Sequence, residues 1–292
     1  MSDTQSSQQA TLETATKTRI RLGHSPDPDD AFMFYALAKG LIDSGEFEFE
    51  HVLNDIETLN QRALKGELEI TAVSIHAFPG IADKYALLGS GGSMGDNYGP
   101  MVVCKKQCDE SALNNMTIAI PGLKTSAFMA LKLAIGEFKH EVVPFDEIIP
   151  AVTDGKVDAG LIIHEGQLTF GHSGLHSILD LGVWWNQKTN GLPLPLGGNC
   201  VRRDLGEEKI RELSRILKES IQYSLDHREE AVGYALEFGR GLDVPLADKF
   251  IGMYVNEYTL DYGDKGREAI RLFLKEGEAA GMIHESYTLD FV

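Results

Sequence analysis

Cysteine is scarce: Cys104, Cys108 and Cys200 are all that a chain of 292 residues contains. The number is odd, no CxxC pair occurs, and no histidine stands near Cys104 and Cys108 in sequence. A disulfide framework and a thiolate metal knuckle are therefore not expected, and reduced thiols fit a reducing compartment. Positive charge is also short, with 27 Lys and Arg against 44 Asp and Glu and a net charge of −17. Such a chain repels nucleic-acid phosphates and anionic lipid headgroups, which leaves a small molecule or another protein as partner, with no nucleic acid and no membrane. Long apolar runs are missing too: none approaches the ~20 residues of a membrane-spanning helix. Residues 1–18, "MSDTQSSQQATLETATKT", lack the basic and apolar regions of a secretion signal, so a flexible tail and a cytoplasmic protein are expected. Several catalytic signatures are absent as well. There is no GK[ST] ending for a phosphate loop, no GxGxxG, no HExxH and no Ser-His-Asp order.

What is present is an alternation. "TRIRLGHS" (18–25) reads as a strand, "DDAFMFYALAKG" (29–40) as a helix closed by Gly40, and "EFEFEHVL" (46–53) as a strand with one exposed face. "DIETLNQRALKG" (55–66) is a helix opened by an Asp55 cap and stopped at Gly66, and "LEITAVS" (68–74) a further strand. The β-α-β-α-β order predicts an α/β fold with a largely parallel sheet. The same order returns over 116–164, with strands at 116–122, 141–145 and 157–164 and helices at 125–138 and 146–155. Two stretches can be laid side by side, "DIETLNQRALKGELEITAVSIH" and "FDEIIPAVTDGKVDAGLIIH", each ending in a histidine, His76 and His164. Residues 207–281 read as mostly helical.

Between the two halves lies "GSGGSMGDNYGPMVV" (89–103), whose glycines allow positive φ and a crossing. A second crossing is expected at "TNGLPLPLGGNCV" (189–201). The division that follows is a first lobe of 19–98 plus 201–292, a second lobe of 99–200 inserted into it, and a cleft between them as ligand site.

Ligands of open parallel sheets gather at the carboxyl ends of strands, which selects the loops 23–30, 74–78, 121–127 and 164–169. In "PGLKTSAF" the N–H groups of Ser126 and Ala127 and the hydroxyls of Thr125 and Ser126 could hold a carboxylate or phosphate; ordinary helix capping explains the same residues. His164 ends an apolar strand ahead of Glu165, where an imidazole suits general-base duty or a structural role. His76 sits in an apolar loop that can simply pack. Trp184 or Trp185 could stack on a planar ligand or fill the core. The loop "HSPDPDD" gathers His24, Asp27, Asp29 and Asp30 but matches no metal pattern. Acidic residues in a first helical turn favour capping.

Six stretches, "SPDPDDAFMFYALAKG", "DIETLNQRALKGELEITAVS", "GSGGSMGDNYGPMVV", "PGLKTSAFMALKLA", "VDAGLIIHEGQLTF" and "LDLGVWWNQKTNGLPLPLG", together resemble the 1,4-dihydroxy-6-naphthoate synthases of the futalosine route to menaquinone. The resemblance runs from about residue 19 to the C-terminus. It implies a two-lobed, type II periplasmic-binding-protein-like fold with a central cleft and two hinge crossings. It also implies a carbon–carbon lyase that acts on cyclic dehypoxanthinyl futalosine, with no metal and no organic cofactor. By motif, His164 of "IIHE" resembles the family's proton-accepting base, and Ala72, Val73, Ser74, Ser126 and Ala127 its substrate contacts. The opening loop departs from the family pattern "SPCPNDTF" by placing Asp27, Asp29 and Ala31 where Cys, Asn and Thr stand. An ionised Asp29 facing the cleft would accept from substrate hydroxyls and disfavour a carboxylate. Alternatives of other kinds are a cytoplasmic solute-binding or sensor protein without chemistry, and the related chorismate dehydratase.

Overall fold

The computed structural model describes residues 17–292. The tail expected over 1–18 falls outside them except at its last two residues, and Thr18 already opens the first strand. Strands β1 (Thr18–His24), β2 (Phe47–Leu53), β3 (Ile70–Ser74), β4 (Tyr85–Leu87) and β5 (Ser93–Gly95) build one sheet. Strands β6 (Met101–Cys104), β7 (Thr117–Ile120), β8 (Lys139–Val142), β9 (Ala159–Ile162) and β10 (His176–Asp180) build a second. Strand β11 (Leu194–Arg202) then returns to the first.

The two sheets share one topology. Their orders are β2-β1-β3-β11-β4, with β5 also on β11, and β8-β7-β9-β6-β10. In each, three parallel strands are followed by an antiparallel one that has just arrived from the other sheet, β11 against β3 and β6 against β9. The internal echo thus maps β3 onto β9, the third parallel strand of each sheet. The sheets are mixed rather than largely parallel, because both crossings deliver antiparallel strands.

Local chemistry explains much of this. The Asp55 carboxylate accepts the Thr58 N–H at 3.0 Å and opens helix Ile56–Leu64, while Gly66 takes the left-handed φ of +69° that ends it. The helix expected over 29–40 is broken at Phe34 into Pro28–Met33 and Tyr35–Ala38. Pro144 stops the strand expected at 141–145, so β8 lies two residues earlier and Phe145 enters a short 3-10 turn. Helix Glu207–Asp226 buries Ile210, Leu213, Leu217 and Ile221, at spacings of three and four, against Ile20, Leu22, Ile70 and Val201 of the first sheet. A second cluster joins Val73 and Leu194 of the first sheet to Ile118 and Leu161 of the second through Trp185, Phe128 and Phe273.

Two further expectations are sharpened. The chain passes back to the first sheet over 189–201, and from Leu194 the segment is a full strand, with its Pro195 accommodated at a register shift between Pro195 and Gly197. The five glycines of 89–103 serve proximity more than left-handed backbone. Only Gly91 has positive φ, at +82°, whereas a β-carbon on Gly95 would stand 2.0 Å from the Tyr98 carbonyl oxygen.

Candidate active site

A half-open cavity lies between the sheets. Three of the four loops chosen from strand ends reach it: Ser25, Asp27, Asp29 and Asp30 after β1, Ser74 at the end of β3, and Thr125, Ser126 and Ala127 after β7. Ala72 and Val73 also line it, so every residue expected to bind substrate is at the cavity. No residue of the fourth loop, 164–169, lines it; Ile163 just before that loop does.

Part of the cavity lining offers neutral donors. Helix Ser126–Ile135 begins here, and its first N–H groups have no acceptor one turn back. The hydroxyls are otherwise engaged. Thr125 caps the helix by accepting the Phe128 N–H at 3.2 Å and donates to the Gly122 carbonyl at 2.9 Å. Ser126 Oγ donates to the Leu196 carbonyl at 2.5 Å and accepts the His76 N–H at 3.2 Å. The capping explanation therefore holds for Thr125, Ser126 Oγ ties the helix start to Leu196 and His76 instead, and the main-chain N–H groups of Ser126 and Ala127 are what remain for an anion. Ser74 is fixed by the wholly buried Asn60, whose Oδ1 accepts the Ser74 N–H at 2.8 Å and whose Nδ2 donates to Ser74 Oγ at 3.1 Å. The Ser74 hydroxyl keeps its own proton to donate.

Another part of the lining is acidic. The Asp30 carboxylate accepts the Ser25 N–H at 2.7 Å, and burial pushes its pKa up to about 6 against that bond. Burial, with the charges of Asp30 and Asp27 beside it, raises Asp29 well above the usual carboxylate range. A protonated Asp29 donates as well as accepts, which relaxes the accept-only restriction expected of it. Asp27 occupies the N-cap position of helix Pro28–Met33 without capping it. Its carboxylate turns to Arg240, 2.9 Å away, so the expectation that the acidic loop merely caps its helix fails at Asp27.

His164 is buried beside the cavity rather than in its lining. Its Nε2 donates to the Phe145 carbonyl at 2.9 Å, and its Nδ1 lies 3.3 Å from Glu165 Oε2 and 3.3 Å from the Gly166 N–H. Burial alone would lower the pKa of the ring; the Glu165 carboxylate outweighs it and raises the value. Glu165 is itself held down at about 2, with His164 and Arg240 overcoming the cost of its burial. His76 packs, with Nδ1 3.2 Å from the Thr125 carbonyl oxygen, and the buried His24 pairs with His51 at 3.0 Å. Neither tryptophan lines the cavity. Trp185 is core, donating to the Pro193 carbonyl at 3.0 Å and packing edge-on against Phe273, which removes ligand stacking as its role. Among the described residues no group of three or more His, Cys, Asp and Glu is placed to hold a metal, and no helix is long and apolar enough to cross a membrane.

Residues of β11 and the C-terminal helices escaped the sequence reading. Asn199, 1% exposed, lines the cavity with neither Oδ1 nor Nδ2 hydrogen-bonded within the described residues. Tyr254 lines it too, its hydroxyl donating to Gln167 Oε1 at 2.7 Å from the first-sheet side to the second. The missed signal was the strand itself: once 194–202 is a strand beside β3, Asn199 falls opposite Ala72.

Two mixed sheets of one topology with a ligand-sized cavity between them define a periplasmic-binding-protein-like architecture. A Candida albicans protein described as having the generic periplasmic binding protein fold superposes with a TM-score of 0.64 at 13% identity, covering 94% of this chain and 98% of its own. A crystal structure of an Archaeoglobus fulgidus protein superposes with a TM-score of 0.87 at 46% identity, covering 91% and 98%. The chain belongs to the menaquinone biosynthesis family, whose sequence model matches residues 20–279, and it is an enzyme of that route. It is 42% identical to the 1,4-dihydroxy-6-naphtoate synthase of Thermus thermophilus, over 90% of this chain and 95% of the relative. With the Streptomyces coelicolor protein of the same name it shares 37% identity over 90% and 94%.

Proposed function

We propose that this enzyme is a carbon–carbon lyase that converts cyclic dehypoxanthinyl futalosine to 1,4-dihydroxy-6-naphthoate, with His164 as general base. The observation that carries the reading is one cavity lined by two unlike sets of groups. Donor groups at Ser126, Ala127, Ser74 and Asn199 suit an anionic group of the substrate, and the carboxyls of Asp29 and Asp30 suit its hydroxyls. His164 stands next in sequence to the cavity residue Ile163.

In the neutral ring the Phe145 carbonyl fixes the proton on Nε2 and leaves Nδ1 as the basic nitrogen. Proton removal from a bound substrate then requires the ring to turn so that a nitrogen enters the cavity. Closure of the two lobes around the substrate would supply that rearrangement and exclude water. The test is incubation of the purified protein with the cyclic futalosine and, separately, with chorismate, followed by mass spectrometry. Dihydroxynaphthoate from the first alone supports the lyase. Product from chorismate alone, or ligand-induced thermal shifts without product from either, overturns it.

A further inference from the structure

Arg240 reaches across the cleft to the surroundings of His164. It lies in the turn after helix Arg228–Ala235, on the first-sheet side, with a left-handed φ of +41° that a β-carbon disfavours. From there its guanidinium makes four contacts. Nη1 lies 2.9 Å from Asp27 Oδ1 and donates to Glu165 Oε1 at 2.9 Å, and Nη2 donates to the Pro26 carbonyl at 3.2 Å. The guanidinium also lies over the Phe145 ring, 4.6 Å from its centre. Glu165 and Phe145 are the two residues that face the two ring nitrogens of His164. One first-sheet side chain thus touches both partners of the base and, at the same nitrogen, the Asp27 that distinguishes this opening loop.

We propose that Arg240 is a positioning residue that joins the two halves across the cleft and balances the charges of Glu165 and Asp27 against the imidazole of His164. This rests on the reading of His164 as the base. The charged groups facing the ring are Glu165 from its own loop, Asp27 from the loop after β1, and Arg240. From the 145–147 turn only the carbonyl and ring of Phe145 approach it, since Asp146 and Glu147 are exposed. Two carboxylates would hold a proton on His164 and leave it useless as a base near neutrality. The guanidinium between them cancels one of those charges. It is withdrawn from Glu165 when the halves part, so the base is available when the cleft is closed.

The charge balance predicts shifts of opposite sign. Arg240→Gln leaves both carboxylates uncompensated and moves the proton affinity of His164 up by about one pH unit. Asp27→Asn removes one negative charge and moves it down by a similar amount. The double variant restores the net charge and returns it close to the parent value. The direct readout is NMR titration of the His164 ring in the full chain, assigned with His164→Gln, alongside the pH profile of kcat/KM, whose acid limb should follow the same three shifts. Arg240→Lys keeps the charge and should leave the limb in place. Shifts of one sign in both single variants, or none, overturn the inference and mark Arg240 as a structural brace. If the NMR shifts appear while His164→Gln still turns over at the parent rate, the charge balance stands and the base assignment fails instead.

Discussion

Two buried asparagines, Asn199 in the cavity lining and Asn60 hydrogen-bonded to the lining residue Ser74, differ in one respect, and that difference can be measured. Asn60 is wholly buried and spends its amide on Ser74, through hydrogen bonds of 2.8 and 3.1 Å. Asn199 is as buried, and its amide has no hydrogen bond within the described residues. Replacing Asn60 by leucine strands the Ser74 N–H in the interior and removes the second bond, at a cost of about 2–4 kcal/mol. For a chain of this size the melting temperature should fall by roughly 3–7 °C. Replacing Asn199 by the similarly shaped leucine breaks no hydrogen bond within the protein. Stability should change by less than about 1 kcal/mol, or within about 2 °C.

In turnover the order reverses. Asn199→Leu loses two hydrogen bonds to the substrate, a KM increase of about 10-fold with little change in kcat if those bonds act equally on substrate and transition state. The assays are a thermal melt of the free protein and steady-state kinetics on the cyclic futalosine. The reasoning is refuted if Asn199→Leu melts as low as Asn60→Leu while keeping the parent KM. In that case the Asn199 amide is part of the scaffold rather than of the substrate site.

Other outcomes follow from the same geometry. A β-carbon on Gly182 would stand 1.9 Å from the Tyr98 carbonyl oxygen, a clash with main chain, so Gly182→Ala should cost more than about 3 kcal/mol in chemical denaturation. Gly233 lies in helix Arg228–Ala235 with nothing within 4 Å of an added β-carbon, and Gly233→Ala should stabilise by about 1 kcal/mol. Asp30, raised by burial to about 6, binds its proton more tightly folded than unfolded. Its contribution is therefore fully favourable below about pH 4 and is lost as pH rises towards 6, a penalty on the order of 2–3 kcal/mol at neutrality. Asp30→Asn, whose amide oxygen still accepts the Ser25 N–H, should match the parent at pH 4 and exceed it at pH 7. Urea denaturation at the two pH values checks this, and equal stability at pH 7 would contradict it.

Legibility in the sequence followed the range of the forces involved. The Asp55 cap, the Gly66 stop and the apolar spacing of 207–226 are local, and they formed where expected. The cavity loops after β1, β3 and β7 were found because strand ends in parallel sheets point to one side. Strand β11 was hidden by Pro195, Gly197 and Gly198, residues that read as a loop until β3 and β5 flank them. Asn199 was lost with it. Arg240 carried no local mark at all, because its partners Asp27 and Glu165 are 213 and 75 residues away in sequence and meet it only through the fold. The acidic loop was noticed at once, yet its division of labour was not readable: Asp27 to Arg240, Asp30 to the Ser25 N–H and Asp29 to the cavity.

The central claim is that His164 removes a proton from a substrate held between the two sheets. It is tested most directly by comparing the parent chain with His164→Asn on cyclic dehypoxanthinyl futalosine, following both product release and binding. The account expects dihydroxynaphthoate from the parent, turnover lowered by about 10²–10⁴-fold in the variant, and binding retained in both. Product formed at the parent rate by His164→Asn would contradict it.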